Sequence, residues 1–140
     1  MNTDDEPGGL ESIPEEECLY LLGLHRLGRV AIDVDERPQV FPVTYAISGR
    51  MVAFRTAPGT KLANAPMSHV AFEVDDYDSA TGVGWSVMVK GIAYETTDAV
   101  DRDSLEVRRQ LVRPMAPGKR DRWVAIRPDE ITGRRFRQHG

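Results

Sequence analysis

The strongest constraint on this chain is a series of short runs in which apolar residues alternate with polar ones, each closed by a turn signal. Arg29 to Val34 (RVAIDV), Pro38 to Ile47 (PQVFPVTYAI) and Met51 to Thr56 (MVAFRT) are separated only by turn-forming residues at Asp33 to Arg37 and at Ser48-Gly49-Arg50, which predicts an antiparallel meander. His69 to Asp75 (HVAFEVD), Gly84 to Thr96 (GWSVMVKGIAYET) and Arg122 to Arg127 (RWVAIR) continue the pattern. In the fifth run, alternation puts Trp85, Val87 and Val89 on one face, and Gly91 marks a bend or bulge. Strands at such spacing need their edges covered, so the expected fold is mainly β, a closed or partly closed β-barrel with a few helices.

Two substantial helices interrupt the strands. Ser12-Ile-Pro-Glu15 has the S-x-x-E form of a capping box, and Glu15, Glu16 and Glu17 favour the positive end of a helix dipole. Cys18, Leu19, Leu21 and Leu22 supply an apolar stripe, with Gly28 as the expected stop. Asp101 to Val112 suits a second helix, with Leu105, Val107 and Leu111 as its apolar side, followed by a loop, RPMAPGKR. A short helix is expected at Thr60 to Ala65. Residues 1–11 are expected to be a flexible segment of a single domain spanning 1–140.

Composition narrows the class without naming a function. Hydrophobic residues at 41% and charged residues at 29% are those of an ordinary globular domain, and no apolar span approaches the roughly 18 residues of a membrane helix. The start, MNTDDEPGGLES, is acidic where a secretory signal is basic and then apolar, so a cytoplasmic protein is expected. The one cysteine, Cys18, has no internal partner and reads as a buried apolar thiol. A net charge of −4 conceals an asymmetry, because residues 108–137 hold ten Lys or Arg against three Asp or Glu. Such a stretch can meet nucleic acid, serve a small anion or pair with the acidic remainder. It has neither a reading motif nor a low-complexity basic tail, so nucleic acid is not expected as a partner.

The segment Arg55-Thr-Ala-Pro-Gly-Thr-Lys61 places two cations and two hydroxyls around a turn that opens a helix. Gly59 permits close backbone approach, helix N-terminal N–H groups are unpaired, and Arg55 and Lys61 add charge-assisted bonds, a combination suited to a phosphate monoester. The residues alone leave a rival open, in which Arg55 and Lys61 are solvated charges beside an ordinary strand-to-helix turn. A P-loop is excluded, since position 54 is Phe and Leu62 stands where a Ser or Thr must bind magnesium.

Leu27-Gly-Arg-Val-Ala31, Pro38-x-Val-Phe-Pro-Val-Thr-Tyr45, Phe54-Arg-Thr-Ala-Pro-Gly-Thr-Lys-Leu62, Val70-Ala-Phe-Glu-Val-Asp75 and Gly84-Trp-Ser-Val-Met-Val-Lys-Gly91 together resemble the pyridoxamine 5'-phosphate oxidase-like family of FMN-binding split β-barrels. Ile131-Thr-Gly-Arg134 also resembles the ending of actinobacterial members. The resemblance implies a homodimer with FMN at the interface and the flavin phosphate on Arg55, Thr56, Thr60 and Lys61. It also implies an isoalloxazine ring beside Val43, Thr44 and Tyr45, with Trp85 and Ser86 approaching it, often from the partner. On the residues alone, Tyr45 is equally a barrel residue with a surface hydroxyl, and Trp85 a core or dimer anchor.

What such a protein does with its flavin stays open among three readings: an FMN-dependent oxidoreductase on an unknown small substrate, a relative of the deazaflavin (F420) reductases, and a flavin- or haem-binding sensor or store without turnover. At 140 residues the chain is shorter than authentic pyridoxamine phosphate oxidases and shows no basic signature for their substrate phosphate. His25, His69 and His139 are dispersed, and Asp75, Asp76 and Asp78 lack the following ligands of a calcium loop, so no metal is expected. No residue stands out as a general acid or base.

Overall fold

The computed structural model describes residues 5–6, 10–58, 67–114 and 120–138. The strands are β1 (Asp5–Glu6), β2 (Leu10–Ile13), β3 (Leu27–Val34), β4 (Arg37–Ser48), β5 (Met51–Thr56), β6 (Ser68–Asp78), β7 (Val83–Glu95) and β8 (Arg122–Arg137). The described helices are α1 (Glu15–Gly23) and α2 (Arg102–Arg108). All strands pair antiparallel in the order β1-β2-β8-β5-β4-β3-β6-β7, and a further pairing of β7 with β8 closes β3 to β8 into a barrel. The mainly β barrel expected from the alternating runs is therefore the observed fold.

Closure depends on the length of β8. One of its edges carries β7 from Val83↔Arg137 to Glu95↔Val124. The other edge takes β5 along Arg122 to Ile126 and then β2 along Gly133 to Arg135, so the two halves of one strand serve two different neighbours. The sequence pattern gave this strand as Arg122 to Arg127. In the structure the register shifts there, with Lys90 opposite Glu130 and Gly91 opposite Pro128. A bulge tolerates the missing N–H of proline, and the strand runs on to Arg137. Gly91 is needed at this point, since a Cβ on it would lie 2.0 Å from the Arg127 carbonyl oxygen.

The barrel interior is filled by inward members of each alternation. Val30, Val52, Phe54, Phe72, Val87 and Val89 are wholly buried, and Trp85 packs against them from the rim of the same β7 face. The MVAF start of β5 is buried at every position because both of its faces are covered. Val52 and Phe54 point inward, while Met51 and Ala53 lie with Val107 of α2 and Ala125 in a second cluster outside the barrel.

Several local expectations need correction. Ser12 does not cap α1, since it belongs to β2 opposite Arg134, and the N-cap is Pro14 without a side-chain cap. Glu15 and Glu17 are held instead by Arg50 (2.8 Å) and Arg135 (2.7 Å). Gly28 is not the stop of α1, which ends at Gly23; it lies in β3, where Phe72 leaves no room for a Cβ (2.4 Å). Residues 5–6 and 10–11 pair with each other as strands, and β2 joins β8. α2 ends at Arg108 rather than Val112, and its buried residues are Ser104 and Val107, three apart on one face, while Leu105 and Leu111 are exposed. The helix expected at 60–65 lies outside the described residues.

The acidic remainder takes up much of the basic C-terminal third. Arg109 pairs with Glu106, Arg122 with Glu95 and Asp98, Arg127 with Asp103 and Arg135 with Glu17. No helix among the described residues is long and apolar enough to cross a membrane.

Candidate functional site

The α2 helix is anchored by Asp101, whose carboxylate accepts from the Ser104 N–H (3.1 Å) and hydroxyl (2.6 Å). It rests on the outer face of β5 and β8, and the chain leaving it returns over β4 and β5 as residues 110–114. Two side chains pin this segment down. The Thr44 hydroxyl donates to the Arg113 carbonyl, and Arg55 Nη1 donates to the Val112 carbonyl at 3.3 Å.

Two adjoining cavities lie beneath the pinned segment and share Thr44 in their walls. The smaller, about 190 Å³, is bounded by Pro42, Val43, Thr44, Arg55, Thr56 and Arg120. The larger, about 700 Å³, has the end of α1 with His25 and Arg26 on one side, residues 44–47 as its floor and residues 110–113 as its roof. Neither lining contains an Asp or Glu, although acidic residues outnumber basic ones in the chain, 22 to 18. Both cavities are thus biased toward anions by composition of their walls.

The small cavity suits a phosphate on its own chemistry. It gathers two guanidinium groups and two hydroxyl side chains at the open end of β5, and Arg55 Nε is buried without a hydrogen-bond partner among the described residues. The Arg55 guanidinium also lies 5.6 Å above the Trp123 ring, its cross-strand neighbour, which orients it. Thr60 and Lys61, the other half of the phosphate-binding turn read from sequence, lie outside the described residues.

The remaining site residues read from sequence fall into three places. Val43, Thr44, Arg55 and Thr56 meet around the small cavity. Tyr45 borders the larger one, but its hydroxyl is not at the surface; it donates to the Leu22 carbonyl at 2.5 Å, and its ring meets Phe72 edge-on in the core at 4.9 Å. Burial holds that phenol protonated, well above its ordinary range. Trp85 reaches the large cavity through His25, whose ring is 5.1 Å away and tilted by 59°. Ser86, on the opposite face of β7, borders a separate recess with Met88, Lys90 and Arg134.

His25, Arg26, Arg113 and Arg120 carry no local sequence signature of a site. Each belongs to a connection between elements, and only the packing of α1 and of residues 110–114 over β4 brings three of them to one cavity. The surplus of arginine in residues 108–137 was the one available hint for Arg113 and Arg120.

Comparison with known proteins gives a consistent picture. The family model for pyridoxamine 5'-phosphate oxidase matches residues 14–135. The chain is 31% identical over 130 residues to the Mycobacterium tuberculosis protein Rv0080, covering 89% of this chain and 84% of that one. It is 45% identical over 93 residues to Rv3129 of the same organism, covering 65% and 80%. Among solved structures, the FAD binding protein from Mycobacterium smegmatis is similar with a TM-score of 0.75 and 39% identity, over 90% of this chain and 99% of that one.

Proposed function

The chain belongs to the pyridoxamine 5'-phosphate oxidase family, and from that premise we propose that it is a homodimeric flavoprotein acting as an oxidoreductase on a small substrate. The observation that carries this reading is the pair of acid-free cavities meeting at Thr44, one sized and charged for a phosphate and the other for a ring system. A bound flavin supplies hydride or single-electron transfer.

The chain's own residues have defined tasks in this reading. Arg55, with its unpaired Nε, and Thr56 hold the phosphate, joined by Arg120 and by Thr60 and Lys61 of the following turn. Residues 43–45 flank the ring, with Thr44 at the junction of the two cavities. Tyr45 keeps that stretch of β4 in place by tying it to the end of α1 through the Leu22 carbonyl. Ser86 lies on a different face from the phosphate site and joins it only from a partner chain, so the cofactor reading and the homodimer stand together.

FMN is the cofactor implied by the motif resemblance. The Mycobacterium smegmatis relative is an FAD binding protein, which makes FAD the alternative. Both present the same ring and first phosphate to the residues named. Mass spectrometry of the molecule released from purified protein on heating identifies which is held. A protein that carries no flavin, and that leaves the fluorescence of added FMN and FAD unchanged, defeats the proposal. Sedimentation at micromolar concentration tests the dimer, and a monomer alone contradicts it.

A further inference from the structure

Residues 110–113 roof the larger cavity and Pro114 borders the smaller, yet the side chains that hold this segment down belong to the candidate site itself. Thr44, which lines both cavities, gives its one hydroxyl hydrogen to the Arg113 carbonyl. Arg55 donates from Nη1 to the Val112 carbonyl in a long bond of 3.3 Å. Among the described residues these are the hydrogen bonds that tie residues 111–114 to the barrel. The segment belongs to no strand or helix, and while Val112 is buried, Leu111 and Arg113 on either side of it are exposed. Few buried contacts and no ladder make it one of the lightly held parts of the molecule.

Arg55 connects the strap to the small cavity that it also borders. Its Nε is buried without a hydrogen-bond partner among the described residues, so the bonding of this guanidinium is incomplete as the chain stands. A guanidinium is planar and carries five N–H donors in fixed directions, so it can hold an oxyanion and the Val112 carbonyl together without sharing a hydrogen. An oxyanion that anchors the fork removes rotamer freedom which the long Nη1 bond otherwise has to overcome alone. The same linkage runs backwards, because a closed strap holds Arg55 in the orientation that meets the anion.

We propose that residues 110–114 are a strap set by the phosphate site: an oxyanion held by Arg55 closes them over the cofactor, and an empty site lets them lift. The assignment rests on the phosphate reading of the small cavity above, and it adds the step by which the cofactor is enclosed and released. Arg55 is the coupling residue, and Thr44 is the latch.

The test is the rate at which chymotrypsin cuts the full chain after Leu111, with the fragments identified by mass spectrometry. Flavin-free protein is compared in chloride and in inorganic phosphate at equal ionic strength, and then with flavin added. Leu111 is already 97% exposed, so the freedom of the backbone around it sets the rate. Phosphate brings no ring to pack beneath the roof, so its protection passes through the cradle. The expected result is cutting roughly tenfold slower in phosphate than in chloride. Arg55→Lys keeps a cation at the cavity but offers a single ammonium in place of the fork, and it loses this protection. Thr44→Val frees the Arg113 carbonyl and speeds cutting in chloride. Equal rates in chloride and phosphate overturn the proposal even where flavin protects, because a ring under the roof then does the closing. Protection that survives in Arg55→Lys overturns it as well. A protein that phosphate protects but that takes up no flavin keeps the strap and loses the flavin reading; one that binds flavin with no change in cutting keeps that reading and loses the strap.

Discussion

The wall made by β3, β6, β7 and β8 and the wall made by β4 and β5 follow the same strand alternation, yet they treat charge in opposite ways. On the first wall Arg29 of β3 lies 3.4 Å from Glu73 and 3.7 Å from Asp75, and charge is matched within the sheet. On the second, Arg55 turns to a backbone carbonyl and an indole ring, and the cavities beside it contain no carboxylate. The first wall is complete as folded, with β7 and β8 paired from end to end. The second leaves Arg55 Nε buried without a hydrogen-bond partner among the described residues, beside a cavity with no acidic side chain in its lining. The two walls therefore differ in how their arginines are partnered: Arg29 meets carboxylates, and Arg55 meets a carbonyl and a ring.

The largest expected effect is on the complete wall. Gly91→Ala puts a Cβ against the rigid Arg127 carbonyl, and a backbone clash of this kind costs about 3 kcal/mol or more of stability, seen as a lowered urea midpoint. A midpoint equal to that of the parent chain shows the bulge to be softer than drawn and blurs the contrast.

Next comes the open wall, where affinity rather than stability responds. Arg55→Ala and Lys61→Ala each weaken flavin binding by about 1.5 to 3 kcal/mol, the worth of a charged hydrogen bond, as read by flavin fluorescence titration. Unchanged affinity in either variant removes that residue from the phosphate site.

Tyr45→Phe probes the tie between the open wall and α1. Removing the hydroxyl costs about 1 kcal/mol, since the Leu22 carbonyl keeps a second, longer bond from the His25 N–H, and a thermal melt measures the loss. A loss several times larger makes this contact a structural centre of the second wall.

The smallest effect returns to the matched wall. Burial, reinforced by the hydrogen bond and charge of Asp75, pushes the Glu73 carboxyl up to about 7 from 4.5, outweighing the opposing pull of Arg29. The folded protein then binds this proton more tightly than the unfolded chain does, so its contribution is full below pH 4.5 and is lost as pH rises to about 7. Arg29 and Asp75 are half-exposed, and water damps the effect. Glu73→Gln flattens the stability curve across this window in urea titrations; an unaltered slope assigns the dependence to another group.

How much of this could be read in advance differs by element. The barrel strands announced themselves through alternation, because the same residues that pack the interior must recur every second position. Helix signals were weaker. Ser12 and Glu15 have the spacing of a capping box, but Ser12 gains more from the β8 ladder, and tertiary pairing overrode the local motif. In α2, Leu105 looked like a core residue, while the helix turned Ser104 and Val107 inward. Of the candidate site, Val43, Thr44, Arg55 and Thr56 were legible as one group because they lie just past the last β4–β5 pair, Tyr45↔Phe54, on consecutive strands, and line one cavity.

His25, Arg26, Arg113 and Arg120 were not legible, and the reason is physical. A strand's neighbours follow from local alternation and turn length, which are written in adjacent residues. A connecting segment goes wherever the packed elements at its two ends send it. The sequence by itself determined a β-barrel and led to the expectation of a phosphate at the end of its third core strand, where Arg55 and Thr56 border a small cavity. Only the tertiary structure decided that α2, docked outside β5, would carry residues 110–113 back across β4 and so build a cavity that Thr44 shares with His25, Arg26 and Arg113.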